Sequence, residues 1–316
     1  MTESPKPKLW LPDLQNKEFQ HADNPPFQIF APAEQRVPFV FNSPHSGRHY
    51  PRSFLDASRL TTLHLRSSED AFVDQLFSKV VEIGAPLLTA NFPRAWLDVN
   101  REPYELDPKL FGEKLPGHAN TRSMRVLGGL GTIPRLVSEH ESIYQTPPSL
   151  EEALDRIETI YRPYHDTLRR LMAQSVVKFG YGILVDCHSM PSTGSRSEGQ
   201  QRPDIIIGDR YGTSCHGEIS REIMRRFAER GYSVTRNKPY AGGFITEHYG
   251  RPLRGLHAVQ IEINRKLYLN EKTLQPTHNF GNLAEDIHAI MSHLVSIPDS
   301  QFSPVGDAPT TPLAAE

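Results

Sequence analysis

The sequence predicts an α/β domain whose largely parallel or mixed sheet is covered by helices on both faces. Short apolar runs typical of buried strands alternate with segments whose apolar residues recur at helical spacing. Polar residues able to bind metal or transfer protons follow several of these predicted strands. In such sheets the carboxyl ends of strands and their loops converge, so we expect these residues to share one edge.

Composition limits the class of protein. The 316 residues carry a formal net charge of -2, and 37% are hydrophobic, as in globular domains. The basic residues are scattered, which gives no electrostatic case for nucleic acid or an anionic membrane as partner. Cys187 and Cys215 form no paired motif, and no apolar run has the length of a signal or membrane-spanning segment. A cytoplasmic protein is therefore expected.

The distribution of prolines and polar residues divides the chain into three parts. Residues 1–35 are predicted to be an irregular N-terminal arm that contacts the domain or a partner subunit through Leu9, Trp10 and Leu11. Residues 36–298 are predicted to form a single α/β domain. Residues 299–316 are predicted to be a disordered tail.

The first half of the domain is predicted to contain three strands and one helix. The strands are expected at residues 37–43, 86–90 and 95–99. The helix should begin after Ser67 or Ser68, with Asp70 in its first turn. Residues 102–148 are rich in glycine and proline without a clean period, which predicts a long excursion.

In the second half of the domain, predicted helices and strands alternate more regularly. A long amphipathic helix is predicted over residues 149–179, kinked near Pro163, and it leads into a central strand that begins at Gly182. Further strands are predicted at residues 203–208, 232–235 and 257–263. Further helices are predicted at residues 215–230 and 283–295.

The central strand ends in a motif that contains Asp186 and His188. Side chains alternate along a strand, so these two point to the same face. A carboxylate in this position can orient the imidazole of a metal ligand. A buried Asp–His pair with a purely structural role explains the motif equally well. The motif alone therefore does not distinguish a metal ligand from a structural pair.

Other imidazole and carboxyl groups lie in comparable positions. His45 follows the first strand, and the next acids are Glu69 and Asp70 at a helix start. Two histidines and a carboxylate with an open fourth position form a hydrolytic zinc site, in which a second carboxylate deprotonates water. Glu262 lies on an apolar strand between two isoleucines, where an unpaired carboxylate would be costly to bury.

Each of these residues also has a structural interpretation. An acid at position 69 or 70 can complement the dipole of a helix. His45 can be an ordinary loop residue, and Glu262 can form an ion pair with Arg265.

Guanidinium groups form a second theme. Arg94, Asn100 and Arg101 lie within eight residues, and arginine forks bind carboxylates and stabilise oxyanions. Arginines near loops are commonly just solvated, which is the alternative. The glycine-rich stretch 240–246 matches no phosphate-binding pattern, and a substrate-covering loop and a plain turn both stay open.

Five motifs together resemble the N-formylglutamate amidohydrolase family, in that family's order over residues 45–268. They are residues 44–48, 68–74, 98–101, 186–191 and 260–265. Because the family is related to zinc carboxypeptidases and aspartoacylase-like deacylases, the resemblance implies a three-layer αβα fold of the phosphorylase/hydrolase-like kind, with a mixed, largely parallel central sheet.

The resemblance also implies a metal site. Zn²⁺ would be held by His45, Asp70 and His188, and Asp186 would orient His188 or an arginine from behind. Carboxypeptidases have a glutamate ligand where this chain has Arg48, so the acidic ligand must come from the later segment. Asp70 is the first choice there and Glu69 the second.

The remaining roles concern the reaction and the substrate. Glu262 would be general base and acid, and Arg94 would stabilise the oxyanion. Asn100 and Arg101 resemble the pair that binds the substrate carboxylate in carboxypeptidases, and Thr246 is assigned to substrate binding as well.

The implied activity is hydrolysis of the N-formyl or short N-acyl amide of an amino acid, with N-formyl-L-glutamate as first choice. The stretch 240–246 and the excursion are typical of a branch outside the histidine-degrading members, which leaves other N-acyl amino acids or a peptide open. The partner would be a small carboxylate-bearing molecule, without nucleic acid or membrane, and a homo-oligomer stays open.

Two other classes are weighed against this activity. A non-haem iron oxygenase also uses two histidines and a carboxylate. Its typical His-x-Asp pair is absent at His45 and His188, and Glu262 would have no task. A non-catalytic binding protein would keep the fold and pocket, but this chain retains all the proposed ligands and the base.

Overall fold

A computed structural model describes residues 8–10, 17–19, 25–137, 141–193 and 202–296. Its main sheet has eight strands in the order β1-β2-β4-β3-β5-β8-β6-β7. These are β1 (Lys8–Trp10), β2 (Phe27–Ala31), β3 (Phe39–Ser43), β4 (Leu87–Ala90), β5 (Gly182–Met190), β6 (Ile205–Gly208), β7 (Val234–Arg236) and β8 (Leu256–Asn264). A small separate ribbon pairs β9 (Leu269–Asn270) with β10 (Gln275–Pro276).

The middle of the sheet is parallel and its flanks are mixed. β4, β3, β5 and β8 run in the same direction, whereas β2 and β6 pair antiparallel with β4 and β8. Every residue of β3 and β5 is buried, because both faces of the sheet are covered and a continuous apolar run is favoured there. The predicted mixed, largely parallel sheet is confirmed.

Helices cover both faces. They are α1 (Arg52–Ala57), α2 (Thr62–Arg66), α3 (Val73–Leu76), α4 (Met124–Leu127), α5 (Leu150–Arg156), α6 (Arg162–Phe179), α7 (Gly217–Glu229), α8 (Phe244–Tyr249) and α9 (Phe280–Leu294). Short 3₁₀ turns occupy Lys17–Phe19, Ser78–Val81, Arg210–Gly212, Pro252–Arg254 and Arg265–Leu267. Among the described residues, no helix combines the length and apolar character needed to cross a membrane.

Two apolar cores lie on opposite faces of the sheet and give the fold its three layers. Leu168 of α6 belongs to one core together with Leu184 of β5. Ile223 of α7 and Ile287 of α9 belong to the other, together with Val185 of β5. The three-layer αβα arrangement implied by the resemblance is confirmed.

The predicted helix over residues 149–179 is observed as α5 and α6, joined by a π-turn over Ile157–Tyr161. The Ser149 hydroxyl caps α5 by accepting from the Glu152 N–H, and Gly180 ends α6 in a left-handed conformation (φ 81°). The irregular turn lies just before Pro163, which has no N–H to donate to the preceding turn.

Two local predictions in the first half of the domain are wrong. Residues 95–99 form turns and loop instead of a strand. The helix expected after Ser67 or Ser68 begins only at Val73, and Asp70 precedes it. The Asp70 N–H donates to the His45 carbonyl (3.0 Å), which ties this residue to the loop after β3 and not to a helical turn.

The N-terminal arm is also more regular than predicted. Phe27–Ala31 is strand β2, whose Phe27 and Ile29 side chains are buried while their neighbours are partly exposed. Lys8–Trp10 pairs with it as β1. The irregular interpretation is therefore wrong for these segments. The contacts predicted for the side chains of Leu9 and Trp10, the residue Leu11 and the predicted tail over residues 299–316 lie outside what the structure describes.

Candidate metal centre and active site

Three buried side chains meet at the carboxyl edge of the parallel strands. His45 follows β3, His188 lies in β5, and Asp70 lies between α2 and α3. Asp70 Oδ2 is 2.9 Å from His188 Nδ1 and 3.4 Å from His45 Nδ1. One potential ligand atom from each residue lies within 4.8 Å of the other two. This spacing and this set of donors fit a zinc ion.

Two further carboxylates lie behind the imidazoles. Asp98 Oδ1 is 2.8 Å from His45 Nε2, and Asp186 Oδ2 is 2.9 Å from His188 Nε2. A carboxylate next to Nε2 favours the proton on that nitrogen, and the Nδ1 lone pair is then directed toward Asp70. His45 Nδ1 is buried and has no hydrogen-bond partner in the described part of the chain. Such an atom needs a partner, so the residues fit a metal ion.

The expected position of Asp186 behind His188 is thus observed. Its other oxygen accepts from Asn42 Nδ2 (2.8 Å), and the hydroxyl of Tyr164 donates to Asn42 Oδ1. The sequence motif did not identify Asp98 as the equivalent residue for His45. Cys187, the alternate residue on β5, packs in the opposite core, as the strand period requires.

The choice between the two neighbouring acids is resolved by their partners. Glu69 accepts hydrogen bonds from Tyr50 Oη (2.7 Å) and Arg66 Nε (3.0 Å), and it is not part of the histidine group. Burial alone would raise the pKa of Asp70, but the neighbouring His188 and His45 hold this pKa well below its usual value. Asp70 is therefore an ionised carboxylate, as a ligand must be.

Glu262 lies on β8 opposite His188 of β5 in the register of the sheet. Its side chain faces the same cavity, and Gln260 Nε2 donates to its Oε1 (2.8 Å). Burial raises the pKa of Glu262 to about 7, and the charge of Asp70 adds to this effect while His188 opposes it. A carboxyl group poised near neutral pH can both accept and return a proton.

The structural alternative for Glu262 was an ion pair with Arg265. Among the described residues no such pair forms. Arg265 instead contacts Asp70 Oδ1 (3.3 Å), the Ser67 carbonyl (2.9 Å) and Ser189 Oγ (3.2 Å). Glu262 is therefore left available for chemistry.

The pKa of Glu262 has a consequence for stability that can be measured. The unfolded chain loses this proton near the ordinary pKa of 4.5, and the folded protein at a pKa of about 7. Stability is therefore lost as pH rises through this window. In metal-free protein at pH 8, Glu262→Gln should increase the free energy of unfolding by about 1–3 kcal/mol.

Urea unfolding in the presence of a chelator, at pH 4 and pH 8, would measure this difference. At pH 4 wild type and variant should be closely matched, because Glu262 is then neutral in both states. An equal difference at both pH values would contradict a raised pKa.

Two arginines share the carboxylate of Asp98. Arg94 Nη2 lies 2.8 Å and Arg101 Nη2 3.4 Å from Asp98 Oδ2. Burial lowers the pKa of Arg101 to about 10, and Asp98 opposes this effect, so the guanidinium stays charged at neutral pH. Both arginines line the cavity. Arg101 already donates from Nε to the Leu130 carbonyl (2.8 Å) and from Nη1 to the Asn100 carbonyl (2.6 Å), so the N–H groups outside these contacts are the ones that can receive a carboxylate or an oxyanion.

Asn100 lines the cavity as well, although its amide is already engaged. Its Oδ1 accepts from the Ile245 N–H (2.8 Å), and its Nδ2 lies 3.3 Å from His188 Nε2. A Cβ at Gly243 would lie 2.5 Å from Asn100 Nδ2, so only glycine allows this approach. Part of the glycine-rich stretch thus packs against the site.

Thr246 is the predicted site residue that the structure does not bring to the cavity. It lies in α8, is fully buried, and its hydroxyl is 3.5 Å from Gln260 Oε1. It is not among the residues that line the cavity. Its assignment to substrate binding is corrected accordingly, because the stretch turns into a helix at Phe244 that directs Thr246 back toward β8.

The cavity has a volume of about 730 Å³. The excursion over residues 102–148, for which the sequence predicts no role, contributes one wall of this cavity. That wall consists of Arg125, Leu130, Pro134, Leu136 and Val137. Residues Tyr240, Ala241, Gly242 and Gly243 contribute another.

A three-layer αβα fold that carries a histidine–carboxylate group and a further carboxyl group at the carboxyl edge of its sheet has the groups that a hydrolytic enzyme needs. The chain belongs to the N-formylglutamate amidohydrolase family, whose model matches residues 37–269. It is 30% identical to N-formylglutamate deformylase of Pseudomonas putida over 82% of this chain and 91% of that protein. The deformylase of Pseudomonas aeruginosa is 29% identical over 82% of this chain and 92% of that protein.

A solved structure gives the same result. The N-formylglutamate amidohydrolase from Ralstonia eutropha JMP134 matches with a TM-score of 0.80 and 32% identity, over 85% of this chain and 98% of that chain. The family expected from the five motifs is therefore confirmed.

Proposed function

We propose that this protein hydrolyses the formyl amide of an N-formyl amino acid in a Zn²⁺-dependent reaction, with N-formyl-L-glutamate as the first substrate to test. The observation that carries the proposal is the arrangement of His45, Asp70 and His188 beside Glu262 on one cavity. The names of the two Pseudomonas relatives support the choice of substrate.

A zinc ion held by His45, Asp70 and His188 would supply a Lewis acid for the formyl oxygen and lower the pKa of water. Glu262 accepts the proton of the attacking water, and its position across from His188 directs it to this group. It then returns the proton to the departing amine. Arg94 donates to the oxyanion that forms on the formyl carbon, because its guanidinium faces the cavity.

Arg101 is the proposed anchor for the carboxylate of the substrate. Replacing it by lysine keeps the charge but removes the planar fork. We expect KM for N-formyl-L-glutamate to rise about 10–100-fold, the range for losing a hydrogen bond between charged groups. Steady-state kinetics on the purified variant would measure this change.

A substrate without the carboxylate serves as control for Arg101→Lys. The amide derivative of the same N-formyl amino acid should be cleaved by the variant and the wild type with similar KM. Arg122→Lys, at an exposed position on the excursion, should leave both substrates unaffected. An equal rise in KM for both substrates would contradict an anchoring role.

The proposed function is tested by measuring formate release from protein of known metal content. The panel pairs N-formyl-L-glutamate with N-formyl-L-glutamine, and includes N-acetyl-L-glutamate and N-formyl-L-leucine. Preference for the first compound supports the proposal, and equal rates on acidic and neutral members would remove glutamate from it. No turnover of any member by zinc-loaded protein would favour a binding protein instead.

A further inference from the structure

The loop over residues 96–101 supplies much of the site without being part of the sheet. It carries Asp98, Asn100 and Arg101, and its first residue, Trp96, is buried. Buried backbone carbonyls need hydrogen-bond donors. Since no strand lies beside this loop in the described sheet order, its donors must come from elsewhere.

Three side chains of the α5–α6 segment supply three of these donors, and Nη1 of the loop's own Arg101 donates to the Asn100 carbonyl (2.6 Å). Arg156 Nη1 donates to the Trp96 carbonyl (3.1 Å), and His165 Nε2 donates to the Val99 carbonyl (2.9 Å). The Tyr161 hydroxyl donates to the Arg101 carbonyl (2.6 Å). The three contacts are spread along the loop and lie on both sides of Asp98 and Asn100.

His165 is suited to this task because its tautomer and its charge are both fixed. A carbonyl only accepts, so the nitrogen that faces Val99 carries the proton. The other nitrogen, Nδ1, lies 3.0 Å from the Tyr249 hydroxyl, and the ring packs 4.4 Å from that of Tyr161. Burial lowers the pKa of His165 to about 3, so the ring stays neutral.

The π-turn explains how these side chains share one face. Tyr161 and His165 are four residues apart and therefore neighbours on α-helix. Arg156 and Tyr161 are five residues apart, which in an α-helix would separate them by about 140°. A π-turn closes its hydrogen bonds over five residues, and the observed π-turn spans Ile157–Tyr161. It brings Arg156 and Tyr161 to the same side.

We propose that Arg156, Tyr161 and His165 are positioning residues that hold the loop over residues 96–101, and that the π-turn aligns them. They touch neither substrate nor metal, and act through Asp98, Asn100 and Arg101. The loop's order follows from the contacts alone. Only the kinetic consequence rests on the proposed function.

Tyr161→Phe removes one hydroxyl and keeps the ring that packs on His165. We expect amide exchange in a peptide covering residues 96–101 to become about three- to tenfold faster, the range for losing one hydrogen bond. Tyr104→Phe is the matched control. The Tyr104 hydroxyl bonds Glu158 (3.0 Å) and Arg162 (2.8 Å) of the same helical segment but no loop carbonyl. Its loop exchange should equal that of the wild type.

Binding of L-glutamate and steady-state kinetics give the second readout. Tyr161→Phe should weaken glutamate binding and raise KM by about three- to tenfold, with a smaller change in kcat. If the wild type hydrolyses no amide while Tyr161→Phe shows faster loop exchange, the proposed function is refuted and the positioning role is left intact. Unchanged exchange and unchanged KM in Tyr161→Phe would overturn the positioning role.

A pair of variants at His165 keeps the test decisive if Tyr161→Phe does not fold. The amide nitrogen of glutamine can replace Nε2 as a donor to the Val99 carbonyl, whereas leucine cannot donate. His165→Gln should therefore retain slow loop exchange and His165→Leu should not. Equal exchange in the two variants would overturn the proposal.

Discussion

Glutamine in place of Glu262 should reduce kcat for amide hydrolysis by about 10²–10⁴-fold, the usual contribution of a general acid–base group. The substitution keeps the size of the side chain and an oxygen for the bond from Gln260 Nε2. It removes only the ability to take and return a proton. Steady-state kinetics with parallel metal analysis would measure the effect, and bound zinc should be unchanged because Glu262 is not one of the ligand residues.

Glu271 offers a matched control for this prediction. Its carboxylate also lines the cavity, but it accepts from the Ser192 N–H (3.2 Å) and is not part of the histidine group. Glu271→Gln should keep a kcat close to that of the wild type. Full activity of zinc-loaded Glu262→Gln would show that the proton passes through another group.

Glu262→Gln is expected to increase the free energy of unfolding and to reduce kcat, and the two results together are more specific than either alone. The same burial that raises its pKa costs stability at neutral pH and prepares it for proton transfer. A variant that is more stable without metal and also inactive is what a functional carboxylate predicts. A structural ion pair would lose stability instead.

The residues that sequence reasoning placed correctly are those carried by strands. His188 and Glu262 lie on long buried strands whose alternation fixes the face of each side chain. His45 directly follows such a strand. The central parallel sheet then brings strand ends together, so their proximity follows from fold class.

The features that sequence reasoning missed depend on contacts between residues that are distant in sequence. The stretch 95–99 has the apolar pattern of a strand, but its carbonyls are satisfied by side chains of a helix some 60 residues later. Nothing in the local pattern distinguishes these two solutions. For the same reason Asp98 gave no signal as the partner of His45, although its position two residues before Asn100 is part of a motif.

The choice between Glu69 and Asp70 as metal ligand depends on tertiary contacts and cannot be made from the local sequence. Two adjacent acids in an irregular turn point in different directions, and only the positions of Tyr50, Arg66 and the two histidines assign them.

We expect Asp70→Asn to weaken zinc binding by more than about 100-fold, which exceeds the effect of replacing a residue that only hydrogen-bonds to a metal ligand. Hydrolysis should be lost together with the metal.

Glu69→Gln provides the comparison at the neighbouring position. It should retain zinc and hydrolysis and lose about 1–3 kcal/mol of stability, because the bond from Arg66 loses its charged partner inside the protein. Competition with a chromophoric chelator would give both zinc affinities, and thermal unfolding would show that each variant folds. Weakened zinc binding in Glu69→Gln with normal binding in Asp70→Asn would exchange the two roles. It would also require the turn before α3 to rotate, since the Asp70 N–H is bound to the His45 carbonyl.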